Sequence, residues 1–395
     1  MNKFGSSITE TVSGNRPFRV MVVDDSAVIR GFISRWLDEA DDITVVGTAA
    51  NGLMALRSVR SSDAEVVILD IEMPQMDGMT ALPKLIELVP DIKVVMASTL
   101  TKRNADISLK ALSAGASDYI PKPETSRDVN ASQEFKRELL EKVRALASAR
   151  RKTRREPLPT GMKEPAVGNV AKPSDPSGAK PFKLFGNRRG EIKLVKAPVY
   201  KPDALVIGSS TGGPQALCKF LADAKHFLSG VPVLITQHMP KTFTAILAEH
   251  IARATSIPTK EAEDGEAIKT GHIYVAPGGL HMVLAQSESG QKIIKLNDKP
   301  PVNFCKPAVD PMFTSAAQLY GKKLLSVILT GMGSDGTLGA QDIVKVGGTV
   351  IVQDEASSVV WGMPGSAAHA GVASAIIAID DMGPTVGRVI MGGTL

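Results

Sequence analysis

Residues 207–214 read Ile-Gly-Ser-Ser-Thr-Gly-Gly-Pro and follow directly on the apolar run Ala204-Leu205-Val206. A buried strand that breaks into Gly-x-Ser-x-Gly and starts a helix sets a serine on a sharp turn, beside the unpaired N–H groups of the helix start. The glycines admit the backbone conformations that such a turn needs. On its own this segment suits a serine nucleophile and a phosphate cradle equally.

A serine nucleophile needs a base, and the base needs an orienting group. Of the six histidines, His238 ends the apolar run Val233-Leu234-Ile235-Thr236, and Pro240 two residues on forbids the strand to continue. That places His238 at the mouth of a strand, where parallel α/β sheets gather their ligands and catalysts. His226 and His250 fall in helical stretches and read as surface residues; His272 and His281 flank a short strand at 273–275, and His369 lies in an Ala-rich helix. Asp335 sits in Leu-Thr-Gly-Met-Gly-Ser-Asp-Gly (329–336), directly after a strand at 325–329. It orients a base or, more blandly, makes an Asp-Gly turn. Phosphate binding would require neither of the later two residues, and 208–213 holds no lysine to face a phosphate. The chain order Ser, His, Asp also differs from the Ser, acid, His order of the α/β-hydrolases.

A second constellation precedes this one. The run Val20-Met21-Val22-Val23 ends in Asp24 and Asp25, Val66-Val67-Ile68-Leu69 ends in Asp70, Val94-Val95-Met96-Ala97 ends in Ser98, and Asp118-Tyr119-Ile120-Pro121 ends in Lys122 and Pro123. Apolar runs without alternation suit strands of a parallel sheet covered on both faces. Segments of helical period fall between them at 28–37, 53–59, 82–88 and 105–112, with Pro83 expected in the first turn of a helix that starts late. Each acid alone could be a helix cap. Together, three carboxylates on one sheet edge repel unless a hard divalent cation such as Mg²⁺ neutralises them. A metal and the Lys122 ammonium beside Asp70 suit that carboxylate to accepting a phosphoryl group, and the Ser98 hydroxyl can bond a phosphoryl oxygen.

At 395 residues the chain has room for two or three domains. No apolar stretch reaches the ~18 residues of a membrane span, and the polar residues 1–16 lack a signal-peptide layout. Cys218 and Cys305 read as small apolar fillers in a reducing cytoplasm. The net charge of +5 comes from one stretch, since 142–201 holds sixteen Lys/Arg against four Asp/Glu. Its Pro-, Gly- and Lys-containing composition predicts an exposed tether rather than a nucleic-acid surface, because it has just Phe182, Phe185 and Tyr200 for stacking.

Gly-Ser-Ser-Thr-Gly-Gly, Gln-His-Met-Pro, Tyr-Val-Ala-Pro-Gly-Gly-Leu-His-Met and Leu-Thr-Gly-Met-Gly-Ser-Asp-Gly resemble, in order and separation, the catalytic domain of the chemotaxis protein-glutamate methylesterases. Residues 18–148 resemble the response-regulator receiver domain, with Ser98 in place of the commoner threonine. The resemblance implies an α/β protein of two doubly wound parallel-sheet domains, a flavodoxin-like receiver and a Rossmann-like three-layer esterase, joined by a basic flexible linker. The expected boundaries are a polar extension at 1–17, the receiver at 18–148, the linker at 149–202 and the esterase at 203–395. It implies Ser210 as nucleophile, His238 as base and Asp335 as orienting acid, with the Met332 N–H in the oxyanion hole and the helix start at Thr211 contributing a second donor. Ser209, where the family usually has alanine, is a rival nucleophile. In the receiver, Asp70 would be the phosphorylated residue, Ser98 and Lys122 would support the phosphoryl group, and Mg²⁺ would meet Asp25, Asp70, the Glu72 carbonyl and, through water, Asp24. No cofactor is implied for the ester chemistry. The implied substrates are methyl-accepting chemotaxis receptors in the cytoplasm, demethylated with release of methanol and deamidated at glutamine, and the implied phosphodonor is a chemotaxis histidine kinase. The alternative is a receiver-controlled esterase or amidase acting on a protein other than a receptor.

Overall fold

The computed structural model describes residues 16–99, 101–122, 129–154 and 192–395. Of the expectations above, the extension up to residue 15, Pro123 and the linker at 155–191 lie outside the described residues.

In the first domain β1 (Phe18–Val23), β2 (Ile43–Ala49), β3 (Val66–Asp70), β4 (Lys93–Ser98) and β5 (Asp118–Pro121) form one parallel sheet in the order β2-β1-β3-β4-β5. All of β3 is buried, and β1 exposes only part of Arg19. Burial on both faces explains why these strands read as unbroken apolar runs. The edge strand β2 escaped the sequence reading because it is half-exposed along most of its length and ends in no chemistry-bearing residue. The helices are α1 (Ala27–Asp38), α2 (Gly52–Ser62), α3 (Gly78–Leu88), α4 (Lys102–Ser113) and α5 (Val129–Arg154). Pro83 lies inside α3 rather than in its first turn. The Asp77 side chain accepts the Thr80 N–H and starts the helix at Gly78. That cap and the buried stripe Ala81, Leu82 and Leu85 offset the backbone bond that Pro83 cannot make.

The second domain is a seven-stranded parallel sheet in the order β14-β13-β12-β6-β7-β9-β8. Its central members are β6 (Ala204–Ser209), β7 (Val233–Gln237) and β12 (Leu324–Ile328), flanked by β8 (Thr259–Glu261), β9 (Ile273–Val275), β13 (Thr349–Gln353) and β14 (Ala375–Ile377). The period-2 alternation of β6 divides two apolar cores. Leu205 and Ile207 face α6 (Gly213–Ala224), α7 (Phe243–Thr255) and α11 (Ile379–Ile390), while Ala204 and Val206 face α8 (Val309–Tyr320), α9 (Thr337–Lys345) and α10 (Met363–His369). An antiparallel hairpin of β10 (His281–Gln286) and β11 (Lys292–Asn297) packs on α8. Strand order reverses direction around β6, so the crevice for a ligand opens at its C-terminal end, after Ser209. Among the described residues no helix is long and apolar enough to cross a membrane.

The described part of the basic stretch is not a tether. Residues 149–154 belong to α5, and Arg150 and Arg151 are 3% and 2% exposed. Arg151 donates from Nε and Nη2 to the buried Glu65 carboxylate at 2.5 and 2.7 Å and stacks over Phe18, and Arg150 pairs with Asp91. Charge density alone reads as solvated; here the arginines meet the buried Glu65 and the partly buried Asp91. Residues 192–202 run along the second domain, with the Val195 N–H on Ala373 O and the Tyr200 hydroxyl on Leu324 O. Stranding one side of a buried pair costs about 3 kcal/mol. Glu65→Ala is therefore expected to lower the first domain's stability by about that amount, seen as an earlier urea midpoint of Trp36 fluorescence in a Trp361→Phe background.

Candidate active site

The turn after β6 is held from three sides. Gln237, the last residue of β7, accepts the Ser209 hydroxyl at 2.7 Å and donates from Nε2 to Ser210 O at 2.9 Å. The Ser210 N–H donates to Thr330 O, and Gly331 passes so close that a Cβ there would lie 2.8 Å from the Ser210 Cβ. Gly212 then takes a φ of 75° as the residue before α6, a conformation that favours glycine. As a result Ser209 is fully buried with its hydroxyl engaged, while Ser210 is half-buried and its hydroxyl has no hydrogen-bond partner among the described residues.

His238 follows β7, and its Nε2 lies 2.7 Å from Asp335 Oδ2. Asp335 is 2% exposed and surrounded by donors: the N–H groups of Val309 at 2.6 Å, Asp310 at 3.1 Å and Gly336 at 2.9 Å. Burial pushes its carboxyl up, but His238 and these amides outweigh burial and hold it below the usual carboxylate range. The other ring nitrogen, Nδ1, lies 3.4 Å from Cys305 Sγ. Cys305 is thus no apolar filler but a contact of the imidazole. Burial opposes the imidazolium, yet Cys305 and Asp335 together hold His238 well above the ordinary histidine range. The N–H groups of Thr211 and Met332 donate to no acceptor among the described residues and lie on the two loops that flank Ser210.

Sequence reasoning missed Gln237, Cys305, Asn303 and Asp310, all of which touch these residues. Asp310 had a signal, an acid in the first turn of a helix entered through Lys306-Pro307; the other three had none before the fold brought them in. His226 lies in a turn rather than a helix, and His250 lies 3.2 Å from Asp106 of the first domain instead of facing only water.

In the first domain Asp24, Asp25 and Asp70 bring carboxylate oxygens within 4.8 Å of one another. Lys122 Nζ bridges Asp24 Oδ2 at 2.6 Å and Asp70 Oδ1 at 2.7 Å. Burial raises the Asp70 carboxyl, with Lys122 opposing and Asp24 adding to the rise. Donors that are all carboxylate oxygens, carrying more negative charge than one lysine balances, fit a hard divalent cation. Asp25 and Glu72 line the open cleft beside this cluster. The Ser98 hydroxyl is bonded to Ser108 Oγ at 3.0 Å instead of to Asp70.

The two sites are physically joined. Thr211 Oγ1 donates to Asp118 Oδ2 at 2.7 Å, Gln215 Nε2 donates to Leu112 O and Ala116 O, and Tyr119 stacks on Phe243 at 4.5 Å between ring centroids. Val360, with Met332 and Val359 packed beside it, joins the apolar cluster of α1, α5 and β1.

A lysine-bridged carboxylate edge on one parallel sheet, packed against a Ser, His and Asp edge on another, is the arrangement of a hydrolase carrying a receiver domain. A family model described as CheB methylesterase matches residues 205–386, and one described as response regulator receiver domain matches residues 20–133. A protein-glutamate methylesterase/protein-glutamine glutaminase of Rhodopseudomonas palustris is 51% identical over 377 residues, covering 95% of this chain and 95% of the relative. One from Paramagnetospirillum magneticum is 51% identical over 93% of this chain and 95% of its own length, and one from Bradyrhizobium diazoefficiens is 49% identical over 98% of each. The chain belongs to the protein-glutamate methylesterase/protein-glutamine glutaminase family.

The raised proton affinity of His238 is directly measurable. By ring NMR it is expected to titrate above pH 6.5, and Cys305→Ala to move the midpoint down, since one of the raising contacts is gone. A midpoint that stays put or rises in Cys305→Ala would show that the thiol does not act on the ring.

Proposed function

We propose that Ser210, His238 and Asp335 carry out ester and amide hydrolysis at glutamyl side chains of methyl-accepting chemotaxis receptors in the cytoplasm, under control of phosphorylation at Asp70. The observation that carries this reading is the 2.7 Å pair of His238 Nε2 and Asp335 Oδ2, on the same sheet edge as a serine whose hydroxyl has no partner among the described residues. Because Nε2–H is donated to the carboxylate, Nδ1 is the nitrogen that receives a proton. Nδ1 meets Cys305 in the resting structure, so the ring exchanges that contact for Ser210, whose hydroxyl then gives its proton to Nδ1 as its oxygen bonds to the γ-carbonyl carbon of the methyl ester. Asp335 fixes the tautomer and steadies the imidazolium. The N–H groups of Thr211 and Met332 bind the oxyanion, each worth ~3 kcal/mol. Collapse returns the proton from Nδ1 to the leaving methoxide, releasing methanol, and water repeats the sequence on the acyl-enzyme to restore Ser210 and free glutamate. With glutamine the same steps release ammonia. The reacting glutamyl side chain is small, so binding falls on remote contacts along the substrate protein.

In the receiver, Asp70 is the proposed acceptor of a phosphoryl group from a chemotaxis histidine kinase. Asp24, Asp25, Asp70 and the Glu72 carbonyl would hold Mg²⁺, which when bound supplies positive charge to the phosphoryl oxygens. Lys122 holds Asp70 in place and meets the added charge, and Ser98 turns from Ser108 to a phosphoryl oxygen. Contacts from β5 and α4 to Thr211, Gln215 and Phe243 support a receiver that restrains the esterase until phosphorylation shifts the population.

Methanol release from methylated receptor fragments tests this reading. Ser210→Ala is expected to lose about four orders of magnitude or more, and Asp335→Asn on the order of 10⁴. Asp70→Ala should keep basal release but lose stimulation by a small phosphoryl donor with Mg²⁺. Gln215→Ala should raise unstimulated release several-fold. Release in wild type should climb as pH rises through the raised His238 value, because only the unprotonated ring accepts the serine proton. Full activity of Ser210→Ala would reject the nucleophile assignment.

A further inference from the structure

Asp310, in the first turn of α8, is a second carboxyl set against Asp335, and no step above uses it. It is 7% exposed. Its Oδ1 accepts the Gly339 N–H at 2.7 Å, and its own N–H donates to Asp335 Oδ1. Asn303 Nδ2 lies 3.4 Å from both Asp310 Oδ2 and Asp335 Oδ1, bridging the two side chains. Asn303 reaches that place from a φ of 51°, and Phe304 follows at 63°, so the turn carries strain to present this amide and then Cys305.

Two carboxyls this close do not both ionise freely. Burial and the neighbouring Asp335 charge push Asp310 up to about 7. Lys322 and Lys323 follow the far, C-terminal end of α8, and the elements packed near Asp310 add little charge of their own. β6, β7 and β12 present no ionisable side chain there, with His238 following β7 beyond Asp335. From β10, His281 accepts the Ala308 N–H, and on α9 Asp342 is engaged by Thr314 and Lys345.

We propose that Asp310 is a positioning residue for the reaction: as a neutral acid it shares its proton with Asp335 and keeps a single negative charge behind His238. Loss of that proton to solvent adds a second charge, which holds the imidazolium and withholds the base. This rests on the proposed roles of His238 and Asp335, and Asp310 itself touches neither substrate nor Ser210.

The test uses the full chain with a small phosphoryl donor and Mg²⁺, comparing wild type, Asp310→Asn, Asp310→Ala and Ser210→Ala. Asp310→Ala, which strands the Gly339 N–H and loosens Asp335, is expected to lose on the order of tenfold or more in methanol release. Asp310→Asn keeps the shape and a donor towards Asp335 and should recover most of that loss. It should also lower the His238 NMR midpoint by about one pH unit, with the rise of release moving to lower pH alongside it. An unchanged midpoint and pH profile in Asp310→Asn would overturn the proposal. So would an Asp310→Asn as slow as Asp310→Ala when both unfold at the wild-type urea midpoint. Undiminished release by Ser210→Ala would instead reject the triad reading, while the His238 midpoint would still decide whether Asp310 sets the charge at the ring.

Discussion

The burial of one negative charge, on Asp335, organises the catalytic edge of this protein. A carboxylate with 2% exposure must be surrounded by donors or lose its charge. The chain meets that demand with the start of α8, the Gly336 turn, the Asn303 amide and His238. Each donor belongs to a different segment, so the position of the imidazole is determined by how α8, the 331–336 turn and β7 pack together. The strained turn at 303–304 presents the Asn303 amide to this carboxylate.

The receiver reaches this edge through a very short element. β5 begins with Asp118 and Tyr119, which touch Thr211 and Phe243, and is followed at once by Lys122, which bridges Asp24 and Asp70. A change in charge at Asp70 therefore acts on Lys122, four residues from the Asp118 contact to Thr211 and three from the Tyr119 contact to Phe243. Lys142 ties Asp118 back to α5 at 2.9 Å, so this corner is braced from within the receiver as well. The Arg150, Arg151 and Glu65 cluster anchors the far end of α5 and keeps that brace rigid.

Much of this was legible in one dimension because parallel sheets place chemistry at strand ends. Largely apolar runs closing in Asp24, Asp70, Lys122, Ser210 or His238 mark the strands and, in each sheet, the edge where the chemistry gathers. Three readings went astray for a common reason. The arginines at 150–151 read as solvated, Pro83 read as a helix start, and Cys305 read as filler, because local composition does not reveal which partner a residue meets. Buried Glu65, the Asp77 cap and the His238 ring decide those cases. β2 was passed over because a half-exposed edge strand carries neither a continuous apolar run nor a functional end.

By itself the sequence determined the two α/β domains, the order of their chemistry-bearing residues and the family to which they belong, since these depend on residue type, period and spacing along the chain. Only the tertiary structure decided that the Ser209 hydroxyl is locked on Gln237 while that of Ser210 has no partner among the described residues, that Cys305 meets one ring nitrogen of His238 and Asp335 the other, and that Asp310 stands behind Asp335. These are contacts between residues 25 to 97 positions apart. Hydrogen-bond direction and the charge state of neighbouring carboxyls depend on distance and burial in three dimensions, which no local pattern encodes.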